Sequence, residues 1–298
     1  MHKIINSMTI ATLALLTFSP AAFSGQRPII ADYTTIQKRI TLKDIGGNLS
    51  GITYNYDSNT YFLVQNNYGK VFEYNEDFSK LLRVIQLANL EDDDLEDIVY
   101  LGNDEFALSS ESNFVLILKI QSGETKINAK KSLTGAQYLQ LPAPSKDNKG
   151  LEALCFNQTN ATGHGSFVAL QEDSPKQLYY FNRPQDQNDY KANKSNFKVL
   201  TPINADKIFK HVLSDLSACY LTSKYRSSES GLPQRLLAIS DESSRIMELD
   251  LAGNKIAMVD LPKKSQGGIG QYEGITFGPN LEMILVGEPA DLIIIPKN

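Results

Sequence analysis

The stretch QYEGITFGPNLEMILVGEP, Gln271 to Pro289, decides how the whole chain is read. An apolar run (Gly274 to Phe277), a Gly278-Pro279-Asn280 turn and a second apolar run (Met283 to Val286) form the pattern of a β-hairpin. Its open end carries a glutamate on each side, Glu273 and Glu288. A hairpin that holds two carboxylates side by side raises the question of whether the arrangement recurs.

It recurs four times. LSGITYN with YFLVQN, DLEDIVY with FALSSE, GLEALCF with FVALQE, and DLSACY with LLAISD repeat the same two-strand pattern. The copies begin near residues 49, 95, 151, 216 and 272. A period of this length is the mark of a propeller or solenoid, in which each unit cannot bury its own apolar faces. After each hairpin a third apolar stretch follows: VFEY (71–74), VLILKI (115–120), QLYYF (177–181), RIMELDL (245–251) and DLIII (291–295). Four copies add a fourth stretch, clearest in LLRVIQL (81–87) and KIAMVDL (255–261). The expected fold is therefore all-β, a five-bladed β-propeller of four-stranded antiparallel blades. The last copy lacks its outer strand, and TTIQKRITL (34–42) supplies it, so that the two ends of the chain share one blade and the ring closes. The polar segments 121–148 and 182–210 read as surface insertions, with room for a helix in 203–212.

The quoted phrases LSGITYN, LEDIVYLGNDEFALSSE, KGLEALCF, LSDLSACY, AISDESSRIMELD and QYEGITFG resemble, in this order, the SdiA-regulated (YjiK-type) family of bacterial envelope proteins. The resemblance runs from about Ile40 to Pro296. It implies a five-bladed propeller, a calcium site that recurs in the family and distant kinship with NHL-repeat propellers, among them lyases and hydrolases. It implies no settled activity. Ser50 and Ser217 depart from the acidic pattern at the first strand.

Aligned on that strand, the copies place Ser50, Glu96, Glu152, Ser217 and Glu273 in one equivalent position. Aligned on the end of the second strand, they place Asn66, Glu111, Glu172, Asp241 and Glu288 in another. The start of one strand of a hairpin lies beside the end of the other, so both sets fall at one end of every blade. First strands line the channel of a propeller, and its mouth would then be ringed by Glu96, Glu111, Glu152, Glu172, Asp241, Glu273 and Glu288. Carboxylates ~5 to 8 Å apart repel by about 2 to 3 kcal/mol per pair at an effective dielectric near 20, before salt screening. Such a ring raises its own pKa values or takes up a cation. An all-oxygen, irregular donor set suits Ca²⁺ better than Zn²⁺, Cu²⁺ or Mg²⁺. For any single glutamate the competing reading is a latch that accepts backbone N–H groups from the next blade. Within EDDDLED (91–97), Glu96 is the expected functional member and the rest a solvated turn.

The beginning of the chain, MHKIINSMTIATLALLTFSPAAFSGQ, has the basic start, apolar run and small residues of a secretory leader, with cleavage expected after Ser24. Residues 25–298 are expected to form one β-propeller domain, periplasmic or secreted. The alternative is an uncleaved leader anchored in the inner membrane, and peripheral membrane association stays open. A formal charge of −5 argues against nucleic acid as a partner. Cys155 and Cys219 lie three and two residues beyond the aligned first-strand position, on opposite strand faces of adjacent blades, the faces that meet. A Cys155–Cys219 disulfide is allowed by this parity, and two buried thiols are the alternative.

Three functions follow. The first is a calcium-binding propeller that holds a small ligand or an envelope protein. The second is a metal-dependent hydrolase or lyase acting on a phosphoester, lactone or ester at the acidic mouth. The third, a glycosidase built on paired carboxylates, is weakened by the absence of Trp, though 14 Tyr are present. A serine-hydrolase triad using His164 or His211 lacks a Gly-x-Ser-x-Gly elbow, and Gly267-Gly268-Ile269-Gly270 lacks the helix pattern of a nucleotide loop.

Overall fold

The computed structural model describes residues 17–18, 27–130, 136–141, 150–158, 165–172, 176–183, 203–204, 206–209, 212–223, 229 and 232–298. Most of the leader, His164 and His211 lie outside them. Five antiparallel sheets form the blades of a five-bladed propeller. Blade 1 comprises Leu49–Asn55, Thr60–Gln65, Lys70–Asn75 and Leu81–Ala88, from the channel outward. Blade 2 comprises Leu95–Gly102, Glu105–Ser110, Phe114–Lys119 and Gln137–Gln140. Blade 3 runs Leu151–Gln158, Gly165–Gln171, Gln177–Asn182 and Ile203–Asn204. Blade 4 runs Ala218–Leu221, Leu236–Ser240, Arg245–Leu249 and Lys255–Asp260. In blade 5, Gln271–Phe277, Met283–Glu288 and Asp291–Ile295 are completed by Lys38–Thr41, which pairs antiparallel with the last strand from Lys38↔Ile294 to Thr41↔Asp291.

Each blade is covered on both faces, which is why its strands read as unbroken apolar runs rather than alternating ones. Along the second strand of blade 1, Tyr61 and Leu63 pack toward blade 5 while Phe62 and Val64 pack toward blade 2. The core is thus five apolar layers, one at each blade boundary. Residues 29–33 add to the layer between blades 4 and 5, held there by Ile29, Ile30 and Tyr33. Buried Glu248 of blade 4 accepts the Ile30 N–H at 3.1 Å and fixes this N-terminal segment in place.

Two segments behave differently from surface insertions. Lys126–Asn128 pairs in parallel with the outer strand of blade 1, and not with its own blade. The outer strands of blades 2 and 3 also lie within segments expected to be insertions, and 203–212 holds only a single helical turn, Asp206–Phe209. These strands are too short and polar to show a period of two. Thr17–Phe18 pairs antiparallel with the edge of blade 4. Among the described residues, no helix is long and apolar enough to cross a membrane.

Inner-strand side chains from all five blades leave a cavity of about 20 Å³, lined by Thr53, Asp97, Cys155, Cys219, Tyr220 and Thr276 among others. That is room for about one water. Cys155 and Cys219 are joined there as a disulfide with a Cα–Cα distance of 5.7 Å. Fully buried Glu229 accepts hydrogen bonds from the hydroxyls of Tyr56 and Tyr220, which line this cavity, and from the Ser223 N–H.

Candidate metal centre at the channel mouth

One end of the channel is acidic, and the backbone explains how. In blade 2 the register passes from Leu95↔Ser110 to Asp97↔Ser109, leaving Glu96 as the extra residue of a β-bulge. Glu152 and Glu273 occupy the same place in blades 3 and 5. In blade 1, Ser50 and Gly51 together face Val64. In blade 4, Ser217 donates its N–H to Ile239 O at 3.0 Å while Ala218 is the register partner of the same Ile239. A bulge re-aims the side chain it carries. Repeated five times, it turns one residue per blade out of the interblade layers and toward the mouth.

The residues at the second-strand ends are tied to the same place. The N–H groups of Asn66, Glu111 and Glu172 donate to the carbonyls of Asn48, Asp94 and Gly150, at 2.9, 3.1 and 3.3 Å. In blade 5, Glu288 stands opposite Gln271, next to the bulge. All seven predicted carboxylates therefore gather at one mouth. Their side chains also reach forward to the next blade. Asn66 Nδ2 donates to Glu96 Oε1 at 2.8 Å, Asp241 Oδ1 accepts the Tyr272 N–H at 3.1 Å, and Glu111 accepts the Gly150 N–H. Among the described residues the latch role thus exists at two second-strand ends, Glu111 and Asp241.

Two further carboxylates join the ring. Asp94 and Asp215 each stand two residues before the bulge position, in the shared Asp-Leu phrase that was the available signal. Asp215 is occupied locally: it accepts hydrogen bonds from Ser240 Oγ and the Glu242 N–H. Asp94 is not. Asp94, Glu96 and Glu111 offer carboxylate oxygens that all lie within 4.8 Å of one another. The acidic run 91–97 is therefore more than a solvated turn. Asp92 caps it by accepting Ser110 Oγ at 3.0 Å, and Asp97 is buried, with Oδ2 accepting the Leu154 N–H of blade 3 at 2.9 Å.

The electrostatics follow from this crowding. Burial, and then neighbouring charge, from Glu152 for Glu96 and from Glu172 and Glu111 for Glu152, push Glu96 and Glu152 well above the ordinary carboxylate range. Burial, then Asp241 and Glu288, lift Glu273 from 4.5 to about 8. Burial and a hydrogen bond with Asp94 lift Glu111 to about 7. Burial and Asp215 lift Asp241 to about 6. Asp94 Oδ1 and Asn66 Oδ1 are buried without a hydrogen-bond partner. Acceptor oxygens without donors, beside clustered carboxylates, are what a hard cation would satisfy. The donors present fit such an ion, with Asp94, Glu96 and Glu111 as its closest set.

The fold is a five-bladed propeller whose clustered acids gather at one channel mouth. The chain belongs to the SdiA-regulated family, whose family model matches residues 29–294. Among solved structures it is similar to a luciferin-regenerating enzyme, at 10% identity and a TM-score of 0.50 over 88% of this chain and 97% of that one. It is also similar to a gluconolactonase from Xanthomonas campestris, at 10% identity and a TM-score of 0.50 over 95% of each chain. At such identity the likeness is one of fold.

Proposed function

We propose that this protein is an exported calcium-binding propeller of the bacterial cell envelope that holds a small ligand or a partner protein at its acidic mouth. The observation that carries the reading is the Asp94, Glu96 and Glu111 cluster, with oxygens within 4.8 Å of one another, set beside buried oxygens that lack donors. Three carboxylates would hold the ion, and Glu152, Glu172, Asp241, Glu273 and Glu288 would surround it with negative potential. The ion would offset the repulsion that otherwise forces these groups to keep protons. Export rests on the leader pattern of residues 1–24, and a mature chain whose measured mass does not begin at Gly25 would remove that support.

Calorimetric Ca²⁺ titration of the chain from Gly25 onward tests the site. Wild type binds, while Glu96→Gln and Glu111→Gln each bind at least roughly tenfold more weakly. Absence of binding by wild type sinks the proposal. A second reading, a metal-dependent hydrolase or lyase, is favoured by Glu273, which lies outside the close triad and holds its proton to about pH 8. A group of that kind serves as a general acid or base for a phosphoester, lactone or ester. A screen of these substrates with and without Ca²⁺ separates the two readings, since only the enzyme turns over product.

A further inference from the structure

The second strand of blade 1 ends in an amide where the other four blades end in carboxylates: Asn66 stands in the place of Glu111, Glu172, Asp241 and Glu288. Its backbone is fixed, because the Asn66 N–H donates to Asn48 O at 2.9 Å. Its side chain is oriented too, because Nδ2 donates to Glu96 Oε1 across the boundary between blades 1 and 2 at 2.8 Å. In this orientation the donating end of the amide is spent on Glu96. Oδ1, on the same amide carbon, is left buried and without a hydrogen-bond donor. Asp94 Oδ1, from the triad that contains Glu96, is in the same condition. Asn66, which holds one member of the triad, and Asp94, another member, thus each carry an unsatisfied acceptor, and each is costly unless something positive satisfies it.

We propose that Asn66 Oδ1 is a neutral fourth ligand to the cation held by Asp94, Glu96 and Glu111, while Asn66 Nδ2 positions Glu96. This rests on the calcium reading above. The chemistry explains the amide. Ca²⁺ takes six to eight oxygens, and three carboxylates already exceed its charge, so a further ligand gains coordination without adding repulsion only if it is uncharged. A carboxylate at this position would lose the donor that holds Glu96 and would face it with like charge. The ligand set would then span two blades, tying ion binding to the boundary between blades 1 and 2.

The test uses Tb³⁺ as the probe in the folded chain from Gly25 onward, with the bound-water count taken from luminescence lifetimes in H₂O and D₂O. In Asn66→Ala the ion gains about one water and Ca²⁺ competes roughly tenfold or more weakly. Asn66→Asp keeps an oxygen but loses the donor, and holds the wild-type water count. An unchanged count in Asn66→Ala, or an Asn66→Asp count that matches Asn66→Ala, overturns the ligand assignment. Wild type that takes up neither Tb³⁺ nor Ca²⁺ overturns the calcium reading itself, and the two failures are told apart by the wild-type titration.

Discussion

Raising the pH should weaken the metal-free protein, and Glu273 sets the scale. Its carboxyl moves from 4.5 in the unfolded chain to about 8 in the fold. Between those values the unfolded state has released its proton and the folded state has not. Folded protein thus binds more protons, and stability falls as pH rises through this window. At full weight the shift corresponds to about 5 kcal/mol above pH 8. Water and salt reach a mouth that is only partly buried, so about 2 to 3 kcal/mol is the working figure. Glu111, lifted to about 7, and Asp241, lifted to about 6, act in the same direction over the lower part of the window. For a chain of this size about 2 to 3 kcal/mol is a fall of roughly 5 to 10 °C in Tm. The assay is thermal unfolding between pH 5 and pH 8.5 in chelator, repeated with Ca²⁺ and with Glu273→Gln. The chelated wild type should lose melting temperature with rising pH, Ca²⁺ should abolish the loss, and Glu273→Gln should flatten it. A chelated wild type whose melting temperature stays level or climbs over that range refutes the argument that the mouth is under electrostatic load.

Two stability predictions concern the scaffold. Replacing both Cys155 and Cys219 by Ser opens a crosslink spanning 64 residues and should cost about 4 kcal/mol by denaturant unfolding, and a loss below ~1 kcal/mol would show that the disulfide constrains little. Gly51→Ala would set a Cβ 2.6 Å from Asp97 Cα and 2.9 Å from Ile98 N, prising the inner strands of blades 1 and 2 apart at a cost of about 2 kcal/mol or more. Gly46→Ala, with nothing within 4 Å of the new atom, is the control that should leave unfolding unchanged.

The ring of blades was legible because each inner hairpin is buried on both sides and so repeats the same apolar phrase. The mouth was legible for a related reason, since strand parity forces the first-strand glutamates and the second-strand ends to one edge. Asp94 was lost among acids that looked like a solvated turn; its role depends on a backbone path that brings it within reach of Glu96 and Glu111. The bulge left no mark in composition, because an extra residue is visible only against its partner strand. Lys126–Asn128 gave no signal either, as its three residues, with Ile127 alone apolar, draw their order from the outer strand of blade 1. Glu229, on the long loop of blade 4, takes hydrogen bonds from Tyr56, Tyr220 and Ser223 in a stretch with no counterpart in the other copies.

The recurring bulge separates what each blade needs for apolar packing from the polar residue it places beside the channel mouth. Leu95, Leu151 and Tyr272, immediately before it, are wholly buried apolar residues, whereas the bulge residue lies outside the apolar layers and makes only polar contacts, as Glu96 and Ser217 do. The mouth therefore behaves as a set of five sockets whose contents can be exchanged while the blades stay as they are. Ser50 is one such socket left without a charge. Ser217 is less free, because its hydroxyl is committed to Tyr272 O at 2.6 Å. A lineage or a designer wishing to change what this protein holds would need to rewrite only single letters, beginning with Ser50.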